Sequence, residues 1–168
     1  MKIAIDAINI RSDGGLTYLN EFLTNLDKTN ISKIYIFISK KSSIKIIDKK
    51  FKIIENIFFE KNFLITNLWK LFFLDSYLKK VDCKKLVVMS GHHLGNFNPT
   101  FLVMQNALPF SKKGTKKFPL GFRIKFFIQK LSHILSIYKK NNAIFVSNYI
   151  KKKVLKNFSK KIKYVVSH

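Results

Sequence analysis

The chain has 168 residues, enough for one domain with a proper core but too few for two full domains. Hydrophobic residues make up 47% and aromatic residues 14% of it, which excludes an intrinsically disordered chain. Its 32 lysines and arginines face 9 aspartates and glutamates, giving a formal net charge of +23.

Two interpretations of this charge stay open. One is an anionic partner: a membrane face, a nucleic acid or a phosphorylated substrate. The other, which we favour, is compositional bias, because lysine, isoleucine, asparagine and phenylalanine are abundant together, as AT-rich coding produces. Arg11 and Arg123 are the only arginines. Since readers of phosphates and bases favour the bidentate arginine fork, nucleic acid is disfavoured as a partner, whereas anionic lipid is not.

The chain opens with a strand, a glycine turn and a helix. Lys2 to Ile8 is a short apolar, β-branched run that predicts a buried strand. Asn9 to Thr17 is polar and contains the Gly14-Gly15 pair, which predicts a turn. Thr17 to Leu26 then predicts a helix with an apolar face made of Leu19, Phe22, Leu23 and Leu26.

Strands and helices alternate through the rest of the chain. Predicted helices cover Asn62 to Lys80 and Gly121 to Lys140, and a third begins at Ser147 as its N-cap. Ser111 to Lys117 is predicted to be a flexible loop. Short buried strands alternating with helices predict an α/β fold, a Rossmann-like three-layer sandwich whose mostly parallel sheet has about seven strands. The further predicted strands are Lys33 to Ser39, Phe51 to Ile57, Lys85 to Ser90, Thr100 to Gln105, Ala143 to Val146 and Lys163 to Val166.

The predicted helix from Gly121 to Lys140 is basic and amphipathic. We expect a core helix with a solvated lysine face, and a membrane-binding or nucleic-acid-binding helix is the alternative. Its apolar side consists of Phe122, Phe126, Phe127, Leu131, Ile134, Leu135 and Tyr138.

Candidate binding residues cluster after the predicted strands, at the edge where parallel sheets bind ligands. The backbone N–H groups of Gly14 and Gly15 could face a phosphate or sugar oxygen, although a plain turn explains the pair equally well. A metal site at His92-His93 is disfavoured because no cysteine or carboxylate pair lies nearby. The remaining candidates for substrate binding, beside these glycines, are His92, Asn106, Ser147 and His168.

Several classes of site lack their sequence signatures. No GxGxxG, GxSxG, HExxH or P-loop motif is present, which disfavours a dinucleotide-binding dehydrogenase and a complete catalytic set in this chain. Cys83 is the only cysteine, so an internal disulfide is excluded. Asp6 interrupts the first apolar run, so no signal peptide is predicted there. We expect a cytoplasmic protein, with peripheral contact at the inner face of the membrane as an extension suggested by its charge.

Four segments together resemble family 4 glycosyltransferases, which have the two-domain GT-B fold. The opening KIAIDAINIRSDGGLTYLNEFL is similar to the family's first strand, glycine turn and helix. FLVMQNALPF, AIFVSNYIKKKVLKNF and KIKYVVSH are similar to later family elements and follow in the same order. The resemblance covers the whole chain and corresponds to the N-terminal, acceptor-side domain only.

The resemblance implies a retaining transferase that moves a sugar from a nucleotide-sugar to a glycan or lipid-linked acceptor in envelope polysaccharide synthesis, without a metal or other cofactor. Gly14 and Gly15 would approach the donor phosphate, and Asn106 would face the transferred sugar. Many relatives have a His-Asp pair where this chain has Gln105-Asn106, and since neither amide is a useful base, general-base catalysis there is in doubt. We expect residues 1–168 to be a single domain without the nucleotide-binding domain, and therefore inactive alone.

Overall fold

The computed structural model describes residues 1–11, 13–42, 44, 48–140, 142–159 and 162–167. Seven strands form one sheet in the order β3-β2-β1-β4-β5-β6-β7, and helices flank it. Each pairing whose register is described is parallel. The predicted α/β, Rossmann-like three-layer fold is therefore confirmed. The strands are β1 (Lys2–Asp6), β2 (Lys33–Phe37), β3 (Phe51–Ile54), β4 (Lys85–Val88), β5 (Thr100–Met104), β6 (Asn142–Phe145) and β7 (Lys163–Val166).

The chain divides into two compact units. Unit 1 consists of Met1–Ser90 and Gly95–Thr100, and unit 2 consists of Gly91–Leu94 and Phe101–His168. Among the described residues, every helix is too short or too polar to traverse a lipid bilayer.

Unit 1 is built on β1, which pairs with β2 on one side and β4 on the other. The isoleucines of β1 and β2 are buried, as expected for a strand covered on both faces. Helix α1 (Asp13–Asn25) covers the sheet through Leu19 and Leu23, two residues of its predicted apolar face that are fully buried. The predicted third strand is shorter than expected, because Ile57–Glu60 forms a 3₁₀ turn capped by the Asn56 side chain.

The predicted helix from Asn62 to Lys80 contains a change of helix type. It runs as α2 (Phe63–Trp69), a π-helical segment (Lys70–Leu74) and α3 (Asp75–Lys80), and the Asn62 side chain caps its start. An apolar helix between two strands is expected to cover a face of the sheet with its apolar residues, but most of the apolar residues of this helix do not lie on its buried side. Leu78 and the half-buried Trp69 point inward, but the exposed residues include Leu64, Leu68, Leu71 and Phe72. The residues that are buried are Thr66, Lys70, Leu74 and Leu78.

Unit 2 contains β5, β6 and β7 with helices α4 (Lys112–Lys116), α5 (Leu120–Lys140) and α6 (Asn148–Leu155). The prediction of a flexible loop over Ser111 to Lys117 is wrong. The Ser111 side chain accepts a hydrogen bond from the Gly114 N–H, and this N-cap starts the short helix α4.

The core role predicted for the apolar side of α5 is also wrong. Phe127 is 61% and Leu135 57% exposed, and Phe122, Leu131 and Tyr138 are exposed as well. The buried residues of α5 are instead His133, Ser136, Ile137 and Lys140. Phe127, Leu131, Ile134, Leu135 and Tyr138 of the predicted apolar side do share one face of the helix, but this face is not the one that packs in the core, and Phe122 and Phe126 lie on the opposite side.

Candidate functional site

The Gly14-Gly15 pair lies inside the first turn of α1, not in a turn before it as predicted. A helix can begin there because glycine at its N-terminus lowers helix stability only slightly. The N–H groups of the first turn have no acceptor within the helix, so they remain available to other partners. These N–H groups are those that bind anions at helix N-termini. Gly14 is exposed, and a Cβ added there would meet nothing within 4 Å, so the space beside this residue is open.

A buried ion pair lies at the carboxyl end of β1. The Lys70 Nζ is 2.6 Å from the Asp6 Oδ2, and the two side chains are 3% and 0% exposed. Lys70 also donates to the Ser90 Oγ at 3.4 Å, and the Asp6 Oδ1 accepts from the Ile8 N–H at 3.2 Å. The pair therefore ties the first residue of the π-helical segment to the end of β1 and to the residues that follow β4.

A second set of polar contacts holds the loops after β1 and β2 in unit 1. The Ser42 hydroxyl donates to the Ile10 carbonyl at 2.6 Å, and the Arg11 guanidinium donates to the Phe59 and Lys61 carbonyls. Glu60 accepts from the Ser39 hydroxyl and the Lys40 N–H, both at 2.7 Å. These contacts fix the chain that leads into α1.

The Ser39 hydrogen bond, followed by the Lys40 N–H and the positive charge of Arg11, holds the pKa of the Glu60 carboxyl below its ordinary value. Glu60 is therefore a carboxylate at neutral pH. Its function within unit 1 is to anchor the β2 loop.

In unit 2, Asn106 and Ser147 each follow a strand and cap the backbone after it. The Asn106 Oδ1 accepts from the Leu108 N–H at 2.8 Å, which forms an Asx turn after β5. Ser147 is the N-cap of α6, as predicted, and its Oγ accepts from the Ile150 N–H. Because β5 and β6 pair in parallel, with Met104 opposite Phe145, both residues follow the same edge of this pair. Asn106 is exposed and presents its amide there.

His92 belongs to a buried histidine cluster in unit 2. The centroid of its ring lies 5.2 Å from that of His133, and the Phe110 ring stacks with the His133 ring at 5.8 Å. The His93 N–H donates to the Ser136 hydroxyl at 2.9 Å. His92 is only 3% exposed, so its ring packs the loop after β4 against α5 and is not presented to solvent.

The predicted site residues thus occupy different positions in the two units. Gly14 and Gly15 are in unit 1, whereas His92, Asn106 and Ser147 are in unit 2. His168 lies outside the described residues. Within the described part of the chain, no three histidine, cysteine, aspartate or glutamate side chains come together as metal ligands.

Two features were missed by sequence reasoning. Neither Lys70 nor His133 is among the candidate residues that the sequence singles out. For Lys70 a signal existed, because the lone carboxylate Asp6 in a buried strand requires a partner of opposite charge. For His133 the sequence held no such signal.

Comparisons of the chain with family models, with curated proteins and with solved structures found no match. The fold and the geometry of the two units are therefore the basis for the functional argument.

Proposed function

We propose that this chain is the acceptor-side half of a retaining GT-B glycosyltransferase, which moves a sugar from a nucleotide-sugar to a glycan or lipid-linked acceptor of envelope polysaccharide synthesis. The observation that carries the proposal is the open, glycine-bearing first turn of α1 directly after the first strand of a parallel sheet. This is the position at which such sheets bind phosphate groups. The ordered resemblance of four segments to family 4 glycosyltransferases supports it.

The proposed roles follow the chemistry of each residue. The first-turn N–H groups at Gly14 and Gly15 donate to the donor phosphate, and the Asn106 amide hydrogen-bonds a sugar hydroxyl. Ser147 contributes through the N-terminus of α6, which it caps. Asn106 cannot accept a proton at neutral pH, so in this proposal it positions the sugar and does not act as a base.

The proposal requires a nucleotide-binding domain in addition to this fold. The direct test is to assay transfer from labelled nucleotide-sugars to a water-soluble acceptor, with the chain alone and with a GT-B nucleotide-binding domain added. Transfer is expected only in the second case. Transfer by the chain alone would refute the two-domain requirement, and its absence in both would refute the proposal for the sugars tried.

Gly14→Ala is the sharpest variant for the same assay. Because the added methyl group meets no protein atom within 4 Å, it should leave the fold intact and, in this proposal, crowd the bound phosphate, so we expect at least a roughly tenfold loss of kcat/KM, about 1.4 kcal/mol of transition-state binding. Gly121→Ala is the matched control. Gly121 is also the second residue of its helix, and its Cβ would also meet nothing within 4 Å.

The proposed location is the cytoplasm, with peripheral binding at the inner face of the membrane, where a lipid-linked acceptor is presented. The charge of +23 supports this proposal through attraction to anionic lipid. A basic module that binds membrane or nucleic acid without any chemistry is the second candidate. It predicts binding to anionic vesicles or oligonucleotides but no transfer in either arm of the assay above.

A further inference from the structure

Helix α5 carries a continuous apolar surface that the described chain leaves exposed along most of its length, with a ring contact between Tyr138 and Phe158 near its C-terminal end. Its exposed members, here called the α5 stripe, are between 38% and 67% exposed. At 3.6 residues per turn they fall within an arc of about 80°. A surface this regular along 21 residues is a helix face, not a scatter of single side chains. The α5 stripe consists of Leu120, Ile124, Phe127, Leu131, Leu135 and Tyr138.

The opposite side of α5 packs against the rest of unit 2. At 3.6 residues per turn, the mean direction of its four buried residues lies about 170° from the α5 stripe. Ser136 accepts the His93 N–H on that side, and His133 stacks with Phe110. The orientation of α5 is therefore fixed by its polar and aromatic contacts, which turn the apolar stripe outward.

Positive charge surrounds this stripe without any compensation. No residue after Asp82 is acidic, so unit 2 has sixteen lysines and arginines and no aspartate or glutamate. On α5, Arg123 and Lys130 flank the stripe on one side and Lys139 flanks it on the other. Four more lysines, Lys112, Lys113, Lys116 and Lys117, lie on or next to α4, just before α5 begins.

We infer that the α5 stripe is a membrane-docking surface, which lies in the plane of an anionic lipid bilayer with its apolar residues among the acyl chains. The flanking cations then reach the phosphate and carboxylate groups of the lipids, which attract them. This inference deepens the proposed peripheral location by naming its surface, and it does not depend on sugar transfer.

The observations favour lipid over the other partners. A second copy of the chain would bring sixteen positive charges toward sixteen others, with no carboxylate in either unit 2 to offset them. Nucleic acid would satisfy the charge, but the isoleucine and leucines of the stripe have no partner on a phosphate backbone. An anionic bilayer satisfies the charge and the apolar face together.

The test measures partitioning of the full chain onto vesicles by co-sedimentation. Vesicles made of equal molar amounts of phosphatidylglycerol and phosphatidylcholine are compared with vesicles of pure phosphatidylcholine, at low and at high salt. We expect strong binding only to the anionic vesicles, weakened by salt. The double variant Phe127→Gln/Leu131→Gln should lower the partition coefficient by roughly tenfold or more, because it removes two membrane-inserted side chains.

The control variant is Leu68→Gln/Phe72→Gln, which changes one leucine and one phenylalanine of comparable exposure on the helix of unit 1. Its partitioning should equal that of the unchanged chain. Arg123→Gln/Lys130→Gln should lower binding to anionic vesicles by roughly tenfold or more and leave weak binding to neutral vesicles unaltered. Thermal melts establish that all variants are folded.

Four outcomes would overturn the inference. The first is equal loss in the Leu68/Phe72 control, which would mean that any exposed apolar residue suffices. The second is a concentration-dependent dimer that Phe127→Gln/Leu131→Gln abolishes, which would identify a second copy as the occupant. The third is vesicle binding that Phe127→Gln/Leu131→Gln leaves unchanged. The fourth is tighter binding to a single-stranded oligonucleotide that the same variant weakens.

Discussion

The Lys70 ammonium contacts the Asp6 carboxylate at 2.6 Å, with both side chains buried at the carboxyl end of β1. Each charge has left water, so each depends on the other for its stability in the folded state. Their pairing explains why a helix with several exposed apolar residues turns a lysine into the core.

Removing one partner of this pair should therefore destabilise the chain strongly. Lys70→Met leaves a buried carboxylate without its cation, and we expect a loss of about 3–5 kcal/mol in the free energy of unfolding. Adding Asp6→Asn to Lys70→Met should restore much of it, since the amide oxygen can still accept the Ile8 N–H. Urea denaturation measures both variants and the unchanged chain.

The exposed pair Lys84–Asp82 provides the control for this prediction. Lys84→Met should leave the unfolding midpoint where it is, because solvent screens that pair. If Lys70→Met shifted the midpoint no more than Lys84→Met, the buried pair would not be contributing as its geometry indicates.

Gly91 should not tolerate a side chain. Its φ is +74°, and an added Cβ would lie 2.8 Å from the Met104 Sδ and 3.1 Å from the Val103 carbonyl oxygen. Gly91→Ala is expected to lower the free energy of unfolding by about 1–3 kcal/mol, through the left-handed backbone and the contact with a strand carbonyl. In the same unit, Gly121→Ala meets no atom within 4 Å and should not destabilise. Equal melting temperatures for the two variants would contradict this account of the loop.

Acid should weaken the loop contacts of unit 1 through Glu60. Its pKa in the folded chain is below the ordinary 4.5, so its carboxylate stabilises the fold above that value. This contribution is lost as the pH falls through the lower, folded-state pKa. Glu60→Gln should therefore reduce the fall in unfolding midpoint below about pH 4.5. Glu55→Gln, at an exposed position nearby, should follow the unchanged chain, and identical pH profiles for all three would count against the Ser39–Glu60 contact.

The single thiol should be inert in the folded chain. Burial raises the pKa of Cys83 to about 11, so almost no thiolate forms at pH 8. A disulfide-exchange reagent should react slowly in buffer and at the normal thiol rate in urea. Fast reaction in buffer would contradict the burial.

This inertness allows a selective probe on α5. Leu131→Cys is exposed and can be labelled with an environment-sensitive dye while Cys83 stays unlabelled. The emission should shift to shorter wavelength when anionic vesicles are added, and a Leu68→Cys label in unit 1 should not respond.

The sequence predicted the seven strands that the structure describes, because each is a short apolar run, and those of β1 and β2 are β-branched and buried on both faces. It also predicted the Ser147 cap, since a serine before a helix satisfies a free N–H locally. These features depend on residues within a few positions of one another, so the local sequence is enough to predict them.

The orientation of α5 depends on contacts that are remote in sequence, so the pattern could not reveal it. His93 is 43 residues from Ser136, and its N–H donates to that hydroxyl. Hydrophobic periodicity identifies which face is apolar but not which face is covered. The start of α1 was misplaced for a related reason. Two glycines suggested a turn, yet the first turn of a helix accommodates glycine well.

The π-helical segment Lys70–Leu74 sets the spacing of the buried residues in the helix between β3 and β4. A π segment holds about one residue more per turn than an α-helix, so it acts as a built-in insertion. Thr66, Lys70, Leu74 and Leu78 are buried and follow one another at steps of four residues, a spacing that would drift by about 40° at each step of a regular α-helix. Deleting Phe72 would return the segment to α geometry and shorten the middle step to three residues, so the four buried side chains would still share one side of the helix. The chain therefore carries one exposed residue here whose loss should leave the lysine beside Asp6.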